Sequence, residues 1–122
     1  DVGLVINRQP AKRQIYGGVI MGIAYSLFDG RIMDAGTGAF LNAQIADYRL
    51  PRLGDIGEIV VEFYEPESEY NRGVIGLGEP PVISPGAAIS NAVANALGVR
   101  VPVLPITPMR VLEALESAPK PA

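Results

Sequence analysis

The stretch GLGEPP at residues 76–81 holds one carboxylate, Glu79, between two glycines and two consecutive prolines. Gly76 and Gly78 let the main chain approach a bulky ligand closely and adopt positive φ where that is required. Pro80 and Pro81 restrict the backbone on the other side, so the carboxylate is held with little conformational freedom. A general base needs such preorganisation, because it must sit within hydrogen-bond reach of the proton it removes. On the residues alone a structural turn is the commoner reading of this pattern, and a catalytic base the sharper one.

Other candidates carry less. Gln14 opens a glycine-bearing segment, where its amide could read the polar edge of a ligand; a solvated glutamine is the ordinary alternative. Asp47, Tyr48 and Arg49 suggest a local hydrogen-bonded cluster, with a structural role favoured. Glu65, Glu67 and Glu69 alternate along a polar stretch and read as a solvated loop. The chain contains neither Cys nor His, which removes disulfides, thiolate metal sites and any Ser-His-Asp triad built from this chain alone. No P-loop or G-x-G-x-x-G pattern is present.

These residues must be positioned by the elements around them. Asp1 to Ile6 is short and apolar, as in a buried strand. From Ala11 to Leu27, Ile15, Val19, Ile23 and Leu27 recur every four positions, which predicts one helical stripe. Gly17, Gly18 and Gly22 lie on that helix and each costs about 1 kcal/mol relative to Ala. Their presence implies close approach of another backbone or of a ligand, the former being the commoner case. Arg31 to Asp34 reads as a short strand and Ile59 to Tyr64 as the clearest one, by its β-branched and aromatic content.

Ser84–Pro85 reads as a helix start and Gly98 as its stop. Thr107–Pro108 repeats the start signal for a last helix through about Glu116. The sum is an α+β fold of about three helices and several short strands. It occupies residues 1–116 as a single incomplete domain, followed by a frayed tail at 117–122.

With 122 residues, a net charge of −3 and 48% apolar content, the chain is long enough for one domain and lacks the basic surface that tracks nucleic acid. Its most apolar run, Ile15 to Phe28, is shorter than the roughly 20 residues that span a bilayer. Asp1 stands first rather than Met, so the chain is expected to be a processed product, a subunit or a piece of something longer. Pro80 to Val99 contains no charged residue, which predicts that the helix from Ser84 docks against other protein.

Taken together, DVGLVIN, RQIYGGVIMGIAYSLFDG, ADYRLP, GLGEPP, AAISNAVANALGVRV and LPITPMRVLEAL fall in one order over nearly the whole chain. This resembles the C-terminal part of the molybdopterin-binding large subunit of the xanthine oxidase and aldehyde oxidoreductase family of molybdenum hydroxylases. The resemblance implies that Glu79 is the base in oxidative hydroxylation of an aldehyde or N-heterocycle with oxygen from water. It also implies that Gln14 contacts the pterin cofactor and that Gly76 and Gly78 shape the cofactor-side loop. The metal needs no side-chain ligand in this family. Val74–Ile75 stand where the family often has a lysine or another polar residue, a difference that bears on substrate preference.

By the same resemblance, the molybdenum–pterin cofactor is shared with the remainder of the subunit, its cytosine dinucleotide form being one option. Iron–sulfur and flavin (FAD) centres are expected on other chains or segments, and the isolated chain is expected to be inactive. A cytoplasmic location is expected, with the periplasm as the alternative. The competing readings are a non-catalytic interaction domain or relic of the family, and a module that binds the pterin without catalysis.

Overall fold

The computed structural model describes residues 1–119. Four α-helices follow one another: α1 (Arg8–Leu27), α2 (Glu67–Arg72), α3 (Ser84–Leu97) and α4 (Pro108–Ser117), with 3-10 turns at Leu53–Asp55 and Pro80–Val82. The expected polar loop at 65–72 thus contains a fourth helix, so the expectation of three was one short. α4 runs into the segment expected to fray, and the rest of that tail, beyond Pro119, lies outside the described residues.

The several short strands are not found among the described residues; two isolated antiparallel bridges, Gly3–Val74 and Met33–Phe40, stand in their place. At the N-terminus the cause is local. Gly3 has φ +63°, a left-handed bend that interrupts extended backbone, so pairing with residues 73–75 stops after Leu4 N–H to Gly73 O (2.9 Å) and Ile75 N–H to Val2 O (3.2 Å). Around Met33 the chain reverses at once. The Asp34 carboxylate accepts hydrogen bonds from the N–H groups of Gly36 (2.9 Å) and Thr37 (2.7 Å), and the ladder closes after one bridge. Residues 59–64 form no main-chain hydrogen bond with another described segment. High β-propensity makes a strand only where a neighbouring edge is available to pair.

α1 begins with Asn7, whose side chain accepts from the Gln9 N–H at 3.2 Å. The apolar stripe Ile15, Val19, Ile23 and Leu27 is only half-buried. The face that is buried is the one with small residues: Gly18, Gly22 and Ser26, with Ala24 beside them. A Cβ at Gly18 would lie 2.7 Å from the Pro81 Cβ, and one at Gly22 would collide with the Pro85 ring. Gly17, by contrast, faces open space. Two of the three helix glycines are therefore explained by the approach of the Pro80–Val82 turn and the start of α3.

α3 is not capped as expected. Ile83, in helical conformation, precedes it, and no side chain caps the start, because the 3-10 turn feeds directly into the helix; Gly98 closes it in the left-handed conformation (φ +72°). At α4 the expectation holds, with Thr107 Oγ1 accepting from the Arg110 N–H at 3.3 Å.

The buried large or branched apolar core among the described residues is small, Val101 and Ile106 with Ala24 beside them, whereas Ile45 (85% exposed), Leu53 (98%), Tyr64 (90%) and Ile83 (75%) face outward. The accessible surface is 9106 Å², against roughly 6,300 Å² for a compact monomer of this mass. No helix among the described residues is long and apolar enough to cross a membrane.

Candidate functional site

Of the four site residues expected from the sequence, Gln14, Gly76 and Gly78 come together where α1 meets the 73–82 segment, and Glu79 follows directly on Gly78. Gln14, on the second turn of α1, donates from Nε2 to the Gly78 carbonyl at 2.9 Å. That carbonyl belongs to the residue immediately before Glu79, so the helix grips the loop next to its carboxylate. Gly76 has φ +113°, with open space where a Cβ would project. Its glycine is required by backbone conformation, not by crowding.

Glu79 itself is exposed and stands just before the 3-10 turn, with φ −108° and ψ 15°. Its carbonyl accepts from the Val82 N–H at 3.0 Å, and the Pro80 carbonyl accepts from the Ile83 N–H at 3.1 Å. The two prolines and these two bonds leave the main chain around Glu79 little freedom, while the carboxylate is free to reach outward. On the other side Pro81 seats against Gly18.

Gln14 and Gly76 line one cavity of about 290 Å³, together with Val2, Val5, Ala11 and Leu77. Glu79 lies outside that lining. A wider groove of about 570 Å³ between residues 99–103 and α4 contains none of the candidate residues. The smaller cavity combines an amide side chain and a glycine backbone with apolar walls. This donor and acceptor set suits the amide edges of a pterin, and its volume lies at the lower limit of small-molecule sites, as for one wall of a larger pocket. Among the described residues no group of three or more Asp, Glu, His or Cys could hold a metal ion.

Sequence reasoning missed Tyr25. Its hydroxyl donates to the Val82 carbonyl at 2.9 Å and accepts from the Gly86 N–H at 3.1 Å. The i, i+4 stripe drew attention to Ile23 and Leu27 instead; Tyr25 follows Gly18 by seven positions, a helical repeat that could have placed it on the glycine face.

The acidic run is not simply solvated. Glu65 is paired with Arg8 and accepts from the Val5 N–H at 3.2 Å, joining the start of α1 to the end of the 59–65 segment. Arg72 binds both Asp1 (2.6 Å) and Glu69 (2.8 Å). Nor do Asp47, Tyr48 and Arg49 cluster with one another: the Arg49 guanidinium lies 4.8 Å from the centre of the Phe28 ring. Burial pushes the neighbouring Asp29 carboxyl up, an effect that the nearby Tyr48 side chain opposes.

Residues 1–57 match the family model described as molybdopterin cofactor-binding domain. The chain is 41% identical over 121 residues to the putative xanthine dehydrogenase molybdenum-binding subunit XdhA of Escherichia coli strain K12, covering 97% of this chain and 16% of that protein. It is 33% identical over 115 residues to the aldehyde oxidoreductase molybdenum-binding subunit PaoC of the same strain, covering 93% of this chain and 16% of the other. The crystal structure of quinoline 2-oxidoreductase from Pseudomonas putida 86 superposes with a TM-score of 0.84 at 31% identity, over 98% of this chain and 16% of that one.

The fold is shared over nearly the whole chain with a segment of a solved oxidoreductase structure. The chain belongs to the family of molybdenum-binding subunits of xanthine dehydrogenases and aldehyde oxidoreductases. It spans about 16% of the length of the curated relatives it matches.

Proposed function

We propose that this chain supplies Glu79 as the general base of a composite molybdenum hydroxylase site, for oxidative hydroxylation of an aldehyde or N-heterocycle with oxygen from water. The observation that carries this reading is the bond from Gln14 Nε2 to Gly78 O. It joins the residue expected at the cofactor to the residue next to the expected base, across 64 positions of chain.

When bound, the molybdenum–pterin group supplies the two-electron oxidation of the substrate carbon. Gln14 and the Gly76–Gly78 backbone would hold that group from one side. Glu79 accepts, at a carboxylate oxygen, the proton released as the oxygen nucleophile attacks the substrate. Pro80 and Pro81 and the hydrogen bonds of the 3-10 turn keep the main chain fixed while this happens, so reaction does not first require ordering of the base. Exposed Val74 and Ile75 flank the loop and would present apolar rather than charged surface toward the substrate.

Residues 1–116 act in this reading as an incomplete domain, closed by the rest of the subunit. The area exposed beyond that of a compact monomer, about 2,800 Å², and the outward-facing Ile45, Leu53 and Tyr64 support such a covering partner. Iron–sulfur and flavin centres on other chains or segments would carry the electrons away. The same exposed surface also favours a second reading, a non-catalytic interaction domain.

Replacing Glu79 by Gln in the complete enzyme separates the two. Assembly and molybdenum content are expected to stay unchanged, with kcat falling about 10²–10⁴-fold, the range of a lost general base. Turnover at the wild-type level would exclude the base and leave the interaction role.

A further inference from the structure

The Tyr25 hydroxyl occupies an unusual place in the main-chain hydrogen bonding. In a continuous α-helix the N–H of Gly86 would donate to the carbonyl four residues earlier, which is Val82. Here the hydroxyl is interposed between those two groups, donating to Val82 O (2.9 Å) and accepting from Gly86 N–H (3.1 Å). A side chain inserted into the i to i−4 ladder is an identifiable cause of a helix bend. It falls at the junction where the 3-10 turn Pro80–Val82 meets α3. Gly86 makes the insertion sterically feasible, since a Cβ there would lie 2.7 Å from the Tyr25 hydroxyl.

The start of α3 has no side-chain cap of its own, so the orphan N–H of Gly86 is satisfied by a residue of a different helix. The consequence reaches Glu79, which accepts from Val82 N–H through its carbonyl at 3.0 Å and directly precedes the turn. With Gly22 against Pro85 and Gly18 against Pro81, α1 contacts this junction at three successive levels. Only the Tyr25 contact acts through hydrogen bonds.

We infer that Tyr25 is a positioning residue: its hydroxyl holds the bend between the 3-10 turn and α3, and the bend sets where the Glu79 carboxylate stands. The functional half of this inference rests on the reading of Glu79 as the base. The geometric half does not. Without the hydroxyl, Gly86 N–H and Val82 O can close on each other, extending α3 backward and turning Glu79 away from its present direction.

The test uses Tyr25→Phe in the complete enzyme, which keeps the ring in its packing and deletes only the hydroxyl. A crystal structure of the variant is expected to show a direct Gly86 N–Val82 O bond and a displaced Glu79. Molybdenum content should be unchanged, KM should stay within about twofold, and kcat should fall about 10- to 100-fold, as for a misplaced catalytic group. Gly86→Ala, which pushes the hydroxyl out from the other side, should reproduce the kinetic effect. Combined with Glu79→Gln, Tyr25→Phe should add no further loss, because it acts through that residue.

An unchanged backbone at 79–86 with wild-type kcat would overturn the inference. So would a Tyr25→Phe loss that adds in full to that of Glu79→Gln. If Glu79→Gln alone kept normal turnover, the base reading would fall, and the position of Glu79 in the variant crystal structure would decide the role of Tyr25 by itself.

Discussion

The amide of Gln14 and the carbonyl of Gly78 are 2.9 Å apart, a bond by which α1 holds the loop next to Glu79. The chain has no cysteine, and among the described residues no sheet holds the loop beyond the single Gly3–Val74 bridge at its start. Its order comes from that bond, from glycine–proline contacts against α1, and from the Tyr25 hydroxyl.

Because the donor is the amide nitrogen of Gln14, Gln14→Glu sets a carboxylate oxygen against the Gly78 carbonyl and the two repel. Loss of the bond is expected to cost about 0.5–1.5 kcal/mol. Faster amide exchange confined to residues 76–79 of the assembled protein would show it, and unaltered exchange there would mean that the bond does not hold the loop.

Gly22 is the tightest point of the α1–α3 contact, with the Pro85 ring in the space a Cβ would need. Intrinsic helix propensity alone predicts that Gly22→Ala stabilises by about 1 kcal/mol. The contact predicts the opposite sign, a loss of about 1–3 kcal/mol from overpacking. Gly17→Ala, on open surface, should show the propensity gain. Thermal unfolding of both variants in the same assembly distinguishes packing from propensity.

Hydrogen bonds from the N–H and hydroxyl of Thr37 and the N–H of Gly36 hold the Asp34 carboxyl below its ordinary value of 3.8. A depressed folded-state pKa means a contribution to stability that is present above pH 3.8 and lost as pH falls through the lowered value. The 34–39 reversal should therefore keep its amide protection at neutral pH and lose it in acid. Asp34→Ala should show the unprotected behaviour at every pH, after correction for intrinsic exchange.

Thr107 caps α4, its hydroxyl oxygen accepting a hydrogen bond from the Arg110 N–H. Thr107→Ala is expected to cost about 1 kcal/mol, whereas Thr107→Ser should be nearly neutral. The shift in denaturation midpoint of the two variants checks the cap directly.

Several features were legible in the residues themselves because they depend on local rules. The α1 and α4 helices follow from periodicity and from the Thr107–Pro108 signal, and Gly98 ends α3 because glycine adopts the left-handed conformation freely. The stiffness around Glu79 follows from its prolines. Segment order over the chain carried the family resemblance, which whole-chain likeness to molybdenum-binding subunits bears out.

Tertiary structure decided what depends on partners far away in sequence. Residues 59–64 have strand chemistry, yet among the described residues they pair with nothing, since β-structure is a property of two edges and not of one segment. The stripe Ile15–Leu27 looked like the buried face of α1, but a close approach of prolines favours the small residues, so Gly18, Gly22 and Ser26 are buried instead. Ser84 lost its expected cap because the preceding 3-10 turn runs into the helix, and Tyr25, sixty-one positions from Gly86, took over the free N–H. Local composition determined where the chain could turn, stiffen and stop; only long-range packing determined which of those places would meet to present Glu79.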